Sequence, residues 1–100
     1  MDIGVLFFQG CPNHEATVRL VHDVARARGI PAEVREVEVT GDEAAKRLRF
    51  LGSPTVQVNG EDIEAARRTD TSYAMSCRMY GGSGVPPRKM VEDALAGTTS

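Results

Sequence analysis

Four side chains of this 100-residue sequence have types and spacing that bear directly on chemistry: Cys11, His14, His22 and Cys77. Cys11 follows an apolar run of strand length, Ile3-Gly4-Val5-Leu6-Phe7-Phe8, and a break at Gln9-Gly10. With Pro12-Asn13-His14 it opens a segment of helical periodicity, so a thiol stands where a buried strand hands over to a helix. Unpaired amides and the positive end of the helix macrodipole favour an anion at such a junction. They therefore favour the thiolate, which is the nucleophilic form of cysteine. His14, one helical turn from the sulfur, is placed to take the thiol proton or, as imidazolium, to pair with the thiolate. His22, mid-helix with no evident partner, reads as solvated.

Cys77 belongs to a second unusual stretch, residues 64–84, which is long for a loop of a compact domain and reads as a long loop or lid near the active-site end. It holds Tyr73, Met75, Cys77, Met79 and Tyr80, both tyrosines of the chain among them. Two periods fit. Extended, Tyr73, Met75, Cys77 and Met79 share a face and present three sulfurs together; as a helical turn, Tyr73, Cys77 and Tyr80 share a face and pack on the sheet. Either these residues anchor the loop to the core, or Cys77 comes within reach of Cys11 to form a disulfide or grip a soft metal ion. Arg67, Arg68 and Arg78 read first as a solvated face, and otherwise as cations that stabilise a thiolate or bind a carboxylate.

The elements that position these groups follow from periodicity. Thr17, Val18, Leu20, Val21, Val24 and Ala25 make the apolar stripe of a first helix ended by Gly29 and Pro31, with Pro12 in its first turn. Residues 33–39 are rich in valine and charge and read as an edge strand. Thr40 and Glu43 are spaced as a capping box for a short helix with Ala44, Ala45, Leu48 and Leu51, closed by Gly52. Asn59-Gly60 between two short alternating runs signals a hairpin. After Gly81-Gly82-Ser83-Gly84, a last helix runs from Pro86-Pro87 to Ala96 with Met90, Val91, Ala94 and Leu95 inward. No internal repeat or linker divides the chain, which reads as one domain over 1–100.

Twelve Lys and Arg against fourteen Asp and Glu give a formal charge of −2, with no basic patch for nucleic acid. The longest apolar run, six residues, is far too short to span a membrane. The chain opens Met1-Asp2, without the basic and apolar regions of a signal peptide, so a cytoplasmic location is expected. There, two cysteines point to redox or metal chemistry more than to a structural disulfide. Zinc-finger spacing, Walker-type and G-x-G-x-x-G loops and metalloprotease signatures are all missing, and no cofactor is implied.

The order β-α-β-α-β-β-α resembles the thioredoxin-like fold along nearly the whole chain, which implies a four-stranded mixed sheet with helices on both faces. Cys11 matches the family's reactive cysteine, and Pro54, before the third strand, matches its cis-proline facing that sulfur. The second cysteine of the family's C-x-x-C falls at His14, so the resemblance is to monothiol members. The glycine-pair motif that glutaredoxins use for glutathione has no counterpart. Gly10 to His14 (G-C-P-N-H), Gly52 to Val56 (G-S-P-T-V) and Ser76 to Tyr80 (S-C-R-x-Y) also resemble a group of small bacterial thioredoxin-family chains, some labelled alkylmercury lyase. Organomercurial lyases use two cysteines and an aspartate, an inventory that Cys11, Cys77 and Asp70 would mimic.

Three functions are therefore expected. The first is thiol-disulfide exchange with a protein or small-molecule thiol, with Cys11 the nucleophile, His14 beside it and Cys77 the resolving thiol. Pro12, Ser53, Pro54 and Thr55 would meet the substrate, the Pro54 loop accepting its backbone. The second is soft-metal binding or organomercurial cleavage by Cys11 and Cys77, helped by Met75 or Met79. The third is a non-catalytic interaction domain that kept the fold and lost the chemistry.

Overall fold

The computed structural model describes residues 1–97. Its elements are β1 (Asp2–Phe7), α1 (His14–Ala27), β2 (Glu33–Glu38), α2 (Asp42–Leu48), β3 (Thr55–Val58), β4 (Glu61–Asp62), a 3₁₀ turn at Ala65–Arg67, and α3 (Arg88–Leu95). The sheet order is β2-β1-β3-β4, with β1 parallel to β2 and antiparallel to β3, and β3 antiparallel to β4. This is the α/β architecture expected, a mixed sheet with helices on both faces, compatible with a thioredoxin-like fold. Parallel pairing of β1 and β2 requires a crossover, and α1 supplies it.

β1 is central because its side chains are apolar in both directions. Successive side chains of a strand point to opposite faces. Ile3 and Val5 pack with Val56 of β3, Val21 and Val24 of α1, and Val91 and Leu95 of α3. Leu6 points the other way, into a smaller core with Val39, Ala44, Ala45 and Phe50. β2 carries Glu and Arg between two half-buried valines and lies at the sheet edge, as its composition predicts. His22 is exposed, also as expected.

Helix ends differ from the sequence expectations in three places. Pro12 is not in the first turn of α1: Asn13 is the N-cap and the helix begins at His14, so Pro12 stands one residue outside. The Thr40–Glu43 capping box does not form, because Gly41 takes the N-cap position of α2 and no side chain bonds there. Nor does Gly52 close α2. Arg49, in the left-handed region at φ 57°, does so, with Phe50 N–H bonding back to the Ala45 carbonyl at 2.8 Å. This is the bond pattern that Gly29 and Ile30 make at the end of α1, where glycine takes that conformation more cheaply.

The Asn59-Gly60 turn is as predicted, both residues having positive φ (51° and 87°), the requirement of a tight two-residue hairpin. It leaves β4 only two residues long. No described helix is long and apolar enough to cross a membrane.

Candidate functional site

Cys11 emerges from a turn at the end of β1, its N–H donating to the Phe8 carbonyl at 3.2 Å. Pro12 and Asn13 separate it from α1, and its own carbonyl accepts the His14 N–H at 3.5 Å. Among the described residues no side chain caps the first turn of α1. The cysteine is half-buried and free.

Ser53 is the hub that links this turn to Cys77. Its Oγ accepts the Phe8 N–H at 3.3 Å. Its N–H donates to the Ser76 carbonyl at 2.7 Å, and its carbonyl accepts the Arg78 N–H at 3.0 Å. Cys77 is thereby fixed as the bridge partner of Ser53, in parallel sense. Residues 76–78 are extended, which decides between the two periods that the sequence leaves open. Arg78 points inward while Met75, Cys77 and Met79 are all exposed. Cys77 is free, like Cys11.

The Ser53-Pro54 peptide is cis, as the resemblance implies. Ser53, Pro54 and Thr55 are all buried. The backbone groups of Ser53 expected to meet a substrate are already engaged by residues 76 and 78. Thr55 is likewise committed: its hydroxyl donates to the Gly52 carbonyl and accepts from Arg78 Nη1 at 3.3 Å. Of the four expected contact residues only Pro12 is exposed.

His14 is turned along the sheet. Its ring stacks on Phe7, centroids 3.6 Å apart and planes 8° from parallel. Nε2 lies 2.7 Å from Glu36 Oε1, without the alignment of a hydrogen bond. Among the described residues the His14 ring makes no hydrogen bond to the Cys11 sulfur; the two residues meet through the backbone, His14 N–H to the Cys11 carbonyl.

The feature the sequence reading missed is the anchor beneath Cys77. Arg78 is only 3% exposed, which overturns its reading as part of a solvated face. Its guanidinium grips Asp62 through two bonds, Nη1 to Oδ2 at 2.7 Å and Nη2 to Oδ1 at 2.9 Å, and Nη2 also reaches Glu64 Oε1 at 2.9 Å. Its Cζ lies 4.5 Å from the centroid of the Tyr80 ring, a cation–π distance. Burial opposes the charge on Arg78, but the hydrogen bonds and fields of Asp62 and Glu64 outweigh it and hold the guanidinium protonated. Tyr80 donates its hydroxyl to the Pro54 carbonyl at 2.6 Å. Burial pushes the Tyr80 phenol well above its usual range, with Arg78 pulling the other way.

One signal for this anchor was available in the sequence. Pairing Gln57 with Asp62 across the hairpin puts the Asp62 side chain on the same sheet face as Gln57 and Thr55, an inward position for an acid that then needs a buried cation.

Arg67 and Arg68 are not beside the thiols. Arg67 Nε donates to Asp70 at 3.0 Å, and Arg68 Nε to the Asp62 carbonyl at 2.7 Å. With Arg49 and Tyr73 they line a cleft of about 200 Å³ that contains neither cysteine. Asp70, the acid of the lyase-like inventory, is held below its usual range first by the Ser72 amide and hydroxyl and then by Arg67. An acid so held is a poor proton donor. No group of three or more His, Cys, Asp or Glu able to hold a metal occurs among the described residues. No family model matches the chain, and neither the curated proteins nor the solved structures provide a match.

Proposed function

We propose that this chain is a thioredoxin-like thiol-disulfide exchange protein in which Cys11 is the nucleophile and Cys77 the resolving thiol. The observation that carries the reading is the double engagement of Ser53. One residue holds both the strand end that leads to Cys11 and the backbone on either side of Cys77, with both cysteines free and neither buried.

In the first step the Cys11 thiolate attacks one sulfur of a disulfide R–S–S–R′, forming Cys11–S–S–R and releasing R′S⁻, which takes a proton from water. In the second the Cys77 thiolate attacks Cys11 Sγ, giving the Cys11–Cys77 disulfide and RS⁻. The substrate disulfide is reduced and the two protein thiols are oxidised; two equivalents of an external thiol reverse the process. The thiolate is the attacking form of cysteine, and Cys11 stands three residues before the first residue of α1. His14 serves as a positioning residue, its ring covering Phe7 at the base of the turn.

A second reading, soft-metal or organomercurial capture, is favoured by one observation. Met75 and Met79, 36% and 53% exposed, flank exposed Cys77 and offer soft thioether donors beside a thiol.

The deciding experiment uses Cys77→Ser and Cys11→Ser against a chromogenic aromatic disulfide. Exchange predicts that Cys77→Ser releases one equivalent of chromophore and stays trapped as a Cys11 adduct. Wild type would release a second equivalent and carry no adduct. Equal, slow labelling of both cysteines would leave a non-catalytic interaction domain, and mercuric binding lost on Cys77→Ser without exchange would select the metal reading.

A further inference from the structure

We infer that the disulfide exchanged at this site belongs to a low-molecular-weight thiol compound and not to an extended polypeptide. Residues 76–78 of the chain itself, Cys77 among them, fill the strand edge at Ser53. The inference rests on the exchange reading above and names its substrate class.

β3 is flanked by β1 on one side and β4 on the other, but β4 faces only Gln57 and Val58, and Ile63 extends the pairing by one bond to the Val56 carbonyl. Toward Ser53 the outer edge would otherwise offer open N–H and C=O groups, the template that captures an incoming strand. In this chain those groups are spent on Ser76 and Arg78.

Four contacts lock the strap in place. Arg78 is buried in its ion pairs with Asp62 and Glu64. The Tyr80 hydroxyl bonds the Pro54 carbonyl, and Tyr80 itself has φ 49°, a conformation rare for a bulky residue. Gly52, at φ 122°, lets the Ser76 and Arg78 segment approach so closely that a Cβ there would meet Ser76 O, Ser76 Oγ and Arg78 Cβ at 3.1 Å. Gly84 packs against the Asn13 side chain at the start of α1, where a Cβ would overlap Asn13 Nδ2.

An extended polypeptide would pair its main chain here only after the strap came away. A compound with small groups on its sulfurs needs no backbone edge. Half-buried Cys11 and exposed Cys77 are open to it with the strap seated. The bonds made and broken are those given above, with R and R′ small organic groups and the same external thiol as reductant.

The test uses the full, reduced chain and two probes with the same leaving group: bis(2-hydroxyethyl) disulfide, and a short extended peptide whose one cysteine is capped as a mixed disulfide with 2-mercaptoethanol. Each rate is divided by that of dithiothreitol with the same probe. The expected result is a normalised rate for the small disulfide at least equal to that for the peptide. Tyr80→Phe, which removes the Pro54 bond, is expected to raise the peptide's relative rate about fivefold, as loss of one strap hydrogen bond allows. Hydrogen exchange gives a second readout that needs no variant: the Ser53 and Arg78 amides are expected to stay protected while peptide is added. A peptide advantage of about fivefold or more in wild type, the effect of a single strand hydrogen bond, with those amides losing their protection, would overturn the inference and leave exchange standing. Normalised rates no better than background for both probes would overturn exchange and the inference together.

Discussion

Replacing Arg78 by Met removes the charge that Asp62 was buried to meet. Asp62 is 7% exposed, and beyond Arg78 its side chain keeps, among the described residues, only the Glu64 N–H, at 2.8 Å. Glu64 is less of a concern, since about a third of its side chain reaches solvent. The loss is therefore mostly one stranded carboxylate, and removing one partner of a buried pair costs about 3–5 kcal/mol. A small domain has roughly 5–15 kcal/mol in total, so Arg78→Met should lower the urea midpoint severely while leaving the slope little changed. The double variant Asp62→Leu/Arg78→Met removes both buried charges, leaving only the part-buried Glu64 N–H without its Asp62 acceptor. It is expected to recover at least half of that loss, an interaction energy well above additivity. Urea denaturation followed by circular dichroism on the four members of the cycle measures it. A single-variant cost below about 1 kcal/mol, or strictly additive losses, would refute the idea that this ion pair anchors the segment carrying Cys77.

Other outcomes follow from the same geometry. Gly52→Ala places a side chain at φ 122° and against the strap; strain of this kind costs about 1–3 kcal/mol, and urea denaturation together with faster proteolysis within residues 74–80 would reveal it. Tyr80 has a phenol pKa raised on folding, so the native state holds its proton more tightly than the unfolded state does. Stability from this group is complete below the unfolded value of about 10 and declines as pH rises beyond it. Denaturation between neutral and strongly alkaline pH should show that decline in wild type and a smaller one in Tyr80→Phe. His14→Phe keeps a ring on Phe7 and removes the imidazole; exchange rates within about twofold of wild type are expected, since the ring and not a proton transfer is its contribution, whereas His14→Ala should lose about 0.5–1.5 kcal/mol of stability with the stack. A tenfold fall in exchange with His14→Phe at unchanged stability would return His14 to the role of base.

The fold was legible because its signals are local and mutually consistent. The apolar run of β1, the stripe of α1 and the Asn59-Gly60 turn each specify one element, and their order leaves few topologies. Helix boundaries were less legible, since Thr40 and Gly41 are adjacent residues competent at the same cap, and an arginine in the left-handed region at residue 49 has no sequence signature. The placement of Cys11 before α1 was readable from the strand-to-helix junction alone. The anchor was not. That Arg78 turns inward depends on a long-range pairing of Ser53 with Cys77 and on a carboxylate sixteen residues away, and neither period in residues 73–80 reports such contacts. Ser53 was expected to receive a substrate's backbone because the sequence cannot show that a distant segment of the same chain takes its N–H and carbonyl first.

The pairing of the two cysteines is tested most directly by oxidising the reduced protein at low concentration with one equivalent of a small disulfide and mapping the product by mass spectrometry. The expected product is a monomer that has lost two hydrogens, with Cys11 and Cys77 joined in one peptide cross-link. Monomer carrying separate adducts on the two sulfurs, or dimers joined between chains, would contradict it.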